Sequence, residues 1–222
     1  MFEGIEAVIF DIDGTLLDSM SVWTHIDEIF IETYHLTMPE NFHEGMEGKS
    51  YSETADYFLE IFPTLTHTSE ELQKEWFDMA FDVYGTEVKM KPGAYDFLHD
   101  LKKTGYKLGV ATSNHKELAI HALKAQGVYE LFDAVRTACE AGAGKPAPDV
   151  YLRVAEDLGV HPKHCLVFED VPMGILAGKN AGMKVCAVDD AFSLPQTEKK
   201  KSLADYFIRD YNDIRNHRYE VL

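Results

Sequence analysis

Ala7-Val8-Ile9-Phe10-Asp11-Ile12-Asp13-Gly14-Thr15 is the stretch on which the fold turns. Four apolar residues ending abruptly at an Asp-Gly pair read as a short buried strand followed by a tight turn. A strand that closes on two carboxylates puts charge where open α/β sheets bind ligands, beyond the carboxyl ends of their strands. Residues i and i+2 at a strand end point to the same side, so Asp11 and Asp13 can address one substrate.

Beyond Thr15 the texture changes. From Leu16 to Lys91 the apolar residues keep helical spacing, as in Trp23, Ile26, Ile29 and Phe30, and no convincing strand is present. Two helix starts carry capping boxes, Ser50 with Glu53 and Thr68 with Glu71. Pro92-Gly93 then breaks the chain, and helix and strand alternate to the end. Strands are expected at Lys107–Ala111, near Phe132–Thr137, at Cys165–Phe168 and at Lys184–Val188, with a last short edge strand at Asp205–Arg209. Helices are expected at Tyr95–Lys103, His115–Gln126, Asp149–Leu158 and Gly174–Asn180. This alternation implies an α/β fold, a parallel sheet with helices on both faces. The sheet core takes residues 1–15 and 92–222 and is interrupted by an all-helical insert at 16–91. Glu198-Lys199-Lys200-Lys201 reads as a solvated helix end.

The bulk numbers suit this picture. With 222 residues, 45% of them hydrophobic and 12% aromatic, the chain can bury a substantial core. A formal charge of −17 argues against nucleic acid or an anionic membrane as partner, and an anionic substrate would need locally concentrated positive charge. Met1 to Glu6 has no basic segment and no apolar stretch of signal-peptide length, and no apolar run could cross a bilayer, so a cytoplasmic protein is expected. Cys139, Cys165 and Cys186 lack paired-ligand spacing and read as free thiols, the last two in buried strands. Nothing demands more than a monomer.

The strand ends, taken in order, form a set. The first carries Asp11 and Asp13, the second Thr112-Ser113-Asn114, the third leads into Gly144-Lys145, and the fourth ends in Glu169-Asp170. Each has a plain structural alternative. Asp13-Gly14 could be only a turn, and Asn114 with Glu117 a capping box. Lys145 could be a solvated loop residue, and Asp170 the cap of a helix whose first turn holds Pro172. Four such coincidences at four successive strand ends are a poor account of the set. Phosphoryl transfer through an aspartyl-phosphate fits it better. Asp11 is the expected nucleophile and Asp13 the acid and base. Ser113, with the amides opening the next helix, would bind phosphoryl oxygens. Lys145 would neutralise developing charge. Asp11, the backbone carbonyl of Asp13, Asp170 and the neighbouring Glu169 offer an oxygen-only site of the kind Mg²⁺ prefers.

In these four motifs the sequence resembles the haloacid dehalogenase-like superfamily, on the branch of β-phosphoglucomutase and related sugar-phosphate phosphatases. The motifs are Val8 to Thr15, Ala111-Thr112-Ser113-Asn114, Gly144-Lys145-Pro146-Ala147-Pro148-Asp149 and Val167 to Gly174, in the family's order. The resemblance implies a Rossmannoid core, Mg²⁺ and a helical cap domain inserted after the first motif. Dehalogenases and phosphonate-cleaving members lack a carboxylate at the position of Asp13, so Asp13 resembles the acid/base of phosphatases and phosphomutases.

The cap separates these two. The mutase's Gly-x-Ser-Arg segment matches Glu47-Gly48-Lys49-Ser50-Tyr51 here, with Tyr51 in place of the arginine, and Trp23 stands where the mutase has histidine. Lys49 gives a point charge and not a bidentate fork. Trp23, Glu47, Lys49 and Tyr51 are therefore the expected specificity residues, with Asn114 beside Ser113, and the expected substrate is a small soluble phosphate monoester with a neutral or cationic remainder. The alternatives are a β-phosphoglucomutase-type enzyme with an altered cap, a receiver-like signalling protein, and an inactive phosphate-ligand-binding protein. His161 and His164 lack a third ligand at suitable spacing and read as surface residues.

Overall fold

The structure, a computed structural model, describes residues 1–40 and 42–222. The chain opens with β1 (Ala7–Phe10) and β2 (Leu17–Asp18). Four helices follow: α1 (Met20–Tyr34), α2 (Phe42–Met46), α3 (Tyr51–Ile61) and α4 (Ser69–Thr86). Next come β3 (Lys89–Met90), α5 (Ala94–Thr104), β4 (Lys107–Thr112), α6 (Lys116–Ala125), β5 (Ala134–Thr137), α7 (Ala138–Ala141) and α8 (Asp149–Leu158). The rest is β6 (Cys165–Glu169), α9 (Pro172–Asn180), β7 (Lys184–Val188), α10 (Thr197–Leu203), β8 (Tyr206–Ile208), α11 (Asn212–Arg215) and β9 (Glu220–Val221).

Seven strands form one sheet in the order β5-β4-β1-β6-β7-β8-β9. All pairs are parallel except β8 with β9. Along β1, Val8 and Phe10 enter the apolar cluster on one face, and Ala7 and Ile9 the cluster on the other. A strand covered on both faces has no polar positions to spare, which is why the run is apolar throughout. Phe10 stacks on Phe168 of β6 at 5.1 Å, and burying each ring contributes about 1.5–3 kcal/mol. In register, Phe10 lies beside Val110 and Phe168, so Asp11 emerges between Ala111 and Glu169 on the flanking strands. The chain builds to one side of β1 through β4 and β5, then returns to the other through β6, β7 and β8. That reversal opens the crevice at the carboxyl end of β1.

The four inserted helices have an aromatic interior in which Trp76 packs on Phe30 and Phe58, at 6.1 and 5.3 Å. Both expected capping boxes form, at Ser50 and Thr68. Three expectations are corrected. Residues 16–91 are not free of strand, because Leu17–Asp18 pairs with Lys89–Met90 where the chain leaves and re-enters the sheet. Two-residue strands are too short to show a period of two. The sheet does not end at β8, which β9 covers antiparallel. Lys200 is not solvated: it is fully buried, its Nζ donating to Val188 O at 3.1 Å and Ser193 Oγ at 2.9 Å. Burial pushes its pKa down. Cys165 and Cys186 are buried as expected, and Cys139 is exposed. Among the described residues no helix is long and apolar enough to cross a membrane.

Candidate active site

Asp11 directly follows β1 and is 6% exposed. Lys145 Nζ donates to its Oδ1 at 2.6 Å and also to Glu169 Oε1. Tyr151 OH donates to the same Glu169 oxygen at 2.9 Å, while the backbone amides of Asp170 and Val171 donate to Oε2 at 2.9 and 3.3 Å. Both oxygens of Glu169 are thus occupied. Asp170 Oδ1 accepts from Thr15 Oγ1 at 2.9 Å, but its Oδ2 is buried without a partner among the described residues. Gly14 makes this approach possible: it sits at φ +75°, and a Cβ there would collide with the Asp170 carboxylate.

Three buried carboxylates crowd around one lysine, and the excess of negative charge shows in the proton affinities of Asp11 and Asp170. Burial pushes the Asp11 carboxyl up to about 8, opposed by Lys145 and reinforced by Glu169 and Asp13. Burial, with Glu169 and Asp11 beside it, holds Asp170 well above the carboxylate range. Burial pulls the Lys145 ammonium down, yet Asp11 and Glu169 more than offset it and hold its pKa above the ordinary lysine range. One oxygen each from Asp11, Glu169 and Asp170 falls within 4.8 Å of the others. The unpartnered Asp170 Oδ2, the surplus negative charge and the all-oxygen donors fit a hard divalent cation.

Asp13 is held from three directions. Ser19 Oγ donates to Oδ1 at 2.6 Å, Tyr84 OH donates to the same oxygen, and Asn114 Nδ2 donates to Oδ2 at 2.8 Å. Ser19 N-caps α1 and Tyr84 closes α4, so the helical insert grips this carboxylate directly. The sequence reading missed both. Tyr84 lies at a helical-face position that reads as core, and it is indeed fully buried. Asn114 does not make the capping box with Glu117 weighed as its plain alternative: His115 is the N-cap of α6.

Asp11, Asp13, Ser113, Asn114, Lys145 and Asp170 lie on the wall of one cavity of about 430 Å³, roofed by the insert. The four insert residues expected to set specificity line it too. Trp23 packs edge-on against Tyr51 and Tyr84, both at 6.0 Å. The Tyr51 hydroxyl donates to Gln73 O at 3.2 Å. Glu47 accepts from the Met173 amide at 3.1 Å and from Gln196 Nε2 at 2.9 Å, a link from insert to core. Lys49 Nζ lies 5.2 Å from the centre of the Tyr57 ring. His161 caps a short turn through Lys163 N, and His164 Nδ1 contacts Gly4 O, so neither enters this site.

The sequence model described as haloacid dehalogenase-like hydrolase matches residues 8–188. The (DL)-glycerol-3-phosphatase 1, mitochondrial, of Arabidopsis thaliana is 35% identical over 84% of this chain, and the match spans 65% of that protein, just under two thirds of its length. The phosphorylated carbohydrates phosphatase of Thermotoga maritima is 30% identical, over 81% of this chain and 83% of its own. The crystal structure of β-phosphoglucomutase from Clostridium difficile superposes with a TM-score of 0.78 at 25% identity, over 95% of this chain and 93% of that one. The chain belongs to the haloacid dehalogenase-like hydrolase family, on the branch that holds β-phosphoglucomutase and sugar-phosphate phosphatases.

Proposed function

We propose that the protein is a Mg²⁺-dependent phosphomonoesterase that hydrolyses a small soluble phosphate ester through a phosphorylated Asp11. The observation that carries this is the floor of the cavity, where Lys145 bridges Asp11 and Glu169 while Asp13, two residues on, faces the same space. Asp11 Oδ attacks phosphorus and the bond to the leaving oxygen breaks. Asp13 gives that oxygen its proton. Water then attacks phosphorus, Asp13 takes the water's proton, and the Asp11–phosphorus bond breaks to release inorganic phosphate. Both protonation states of Asp13 suit its surroundings, because the Ser19 and Tyr84 hydroxyls can donate to the carboxylate or accept from the acid. Ser113 and the amides opening α6 receive phosphoryl oxygens, with Asn114 orienting Asp13.

Asp11, the Asp13 carbonyl and Asp170 would hold Mg²⁺. When bound, the ion supplies the positive charge that the carboxylates lack and draws electron density from the phosphoryl oxygens. With its four lone-pair directions already taken, Glu169 serves as the anchor of Lys145 and not as a ligand. Residues 16–91 act as the cap and residues 1–15 and 92–222 as the core. Hydrolysis is favoured over mutase chemistry because, apart from Lys145, Lys49 is the one lysine or arginine among the described cavity residues, a thin provision for a second phosphate. The glycerol-3-phosphatase and carbohydrate phosphatase relatives point the same way. The test is phosphate release from a panel of small esters with and without Mg²⁺, including glucose 1-phosphate with its bisphosphate. Metal-dependent release that is lost in Asp11→Asn is expected. Isomerisation without release would establish the mutase instead.

A further inference from the structure

The cavity extends well past the chemistry. A volume of about 430 Å³ is in the range that holds a drug-sized ligand, and its apolar lining includes Met20, Trp23, Ile26, Met46 and Trp76. On α1, Met20, Trp23 and Asp27 follow one another at i, i+3 and i+7 and line one helical face. At a rise of 1.5 Å per residue, Asp27 stands ~12 Å along the helix from Ser19, the residue that touches Asp13. A carboxylate therefore lies at the end of the cavity remote from the phosphoryl site.

Asp27 has little to do there as the protein stands. Among the described residues its carboxylate accepts no hydrogen bond, and its one ion-pair contact is His43 Nδ1 at 3.9 Å, beyond hydrogen-bond reach. The Asp27 side chain is 18% exposed and that of His43 47%, so the imidazole turns toward water while the carboxylate stays in the wall. A half-solvated pair of this kind contributes almost nothing, and an unpaired carboxylate against apolar walls is unfavourable until a donor arrives. Lys49, the competing cation, is drawn onto the Tyr57 ring.

We propose that Asp27 is a specificity-determining residue that receives a protonated amine at the end of an extended leaving group. The substrates are then phosphate monoesters of amino alcohols with an aromatic or cyclic body, the body lying along Trp23 and Trp76. This inference rests on the phosphatase reading. Burial pushes the Asp27 carboxyl up to about 7, the condition that a charge-assisted hydrogen bond from an ammonium group relieves.

Two esters of equal shape test it, 4-(aminomethyl)benzyl phosphate and 4-(hydroxymethyl)benzyl phosphate. The wild-type protein should favour the amine in kcat/KM by about tenfold or more, the advantage of a charged over a neutral hydrogen bond. In Asp27→Asn the ratio should fall to near one. Measurable but equal rates on the wild-type protein overturn the proposal, as does a ratio that survives in the variant. The wild-type ratio decides the matter alone if the variant does not fold. Calorimetric affinities of Asp11→Asn for the two esters separate this inference from the reading beneath it. A preference for the amine in binding without phosphate release from any ester would sink the phosphatase and leave Asp27 standing. Release with no preference in rate or affinity would do the reverse.

Discussion

The hydroxyl of Tyr84 and the amide of Asn114 reach Asp13 from two elements, the last turn of α4 and the loop after β4. In the proposed mechanism the proton passes through Asp13 and through neither of these atoms, so their contribution is to hold its carboxylate in one orientation. Tyr84→Phe keeps the buried ring and removes only the hydroxyl, leaving Ser19 and Asn114 as donors. We expect kcat to fall about tenfold with KM little changed, because acid–base assistance is worth 10²–10⁴ and only its alignment is being degraded. Steady-state kinetics on the best ester decide this, and an unchanged kcat reduces Tyr84 to packing. Asp27 gives a residue-level prediction in stability. Its carboxyl titrates near 7 in the folded protein against an ordinary 3.8, so the native state binds more protons than the unfolded chain between these values. Stability from this group therefore falls as pH rises from about 4 to about 7. Asp27→Asn removes that component, and across this window Tm of the variant should decline less with pH than that of the wild-type protein. Parallel Tm profiles would show that the carboxyl titrates normally.

Helix α9 begins directly behind the carboxylates, and its third residue explains how closely it can approach. A Cβ on Gly174 would overlap the Glu169 carboxylate that anchors Lys145. Gly174→Ala adds one carbon, and alanine is itself the better helix former by about 1 kcal/mol. The helix should persist, with far-UV circular dichroism unchanged. Displacing Glu169 moves Lys145 off Asp11, and a shift near 1 Å at reacting groups costs on the order of a hundredfold in kcat. Full activity in Gly174→Ala would mean that Glu169 yields without disturbing Lys145. Much at this scale was legible in the sequence. Buried parallel strands are unbroken apolar runs, so β1, β6 and β7 stand out, and their polar ends mark one mouth. Ser50 and Thr68 announced their helices because a capping box is a local device. Contacts between distant segments leave no such mark. The pairing of β2 with β3, the cover of β8 by β9, the burial of Lys200 and the grip of Tyr84 on Asp13 all depend on where the chain returns. The part of Glu169 was half visible: its place beside Asp170 could be read, but the four donors that fill its oxygens could not.

At the scale of the whole molecule the question is how an insert of four helices stays seated over a sheet whose strand ends carry the proposed chemistry. One pair of short strands, β2 with β3, joins them where the chain crosses, and Glu47 provides a polar link, accepting from the Met173 amide on α9 and from Gln196. Both partners belong to the sheet side of the cavity, so Glu47 holds the roof to the floor at the rim. A carboxylate on the cavity wall could instead repel a second phosphate. The two parts predict opposite signs. If Glu47 acts by charge, Glu47→Ala and Glu47→Gln should both tighten KM for anionic esters. If it fastens the roof, Glu47→Ala should loosen a closure that excludes water and raise KM several-fold, since lids of this kind commit the substrate. Glu47→Gln should then stay near the wild-type protein, because its amide oxygen still accepts from the Met173 amide while the charge is gone. We expect the second pattern, because both carboxylate oxygens are already bound within the protein and a group so engaged presents little free charge to a ligand. KM for one monophosphate and one bisphosphate in the two variants distinguishes them: a fall in both variants, larger for the bisphosphate, returns Glu47 to electrostatic selection.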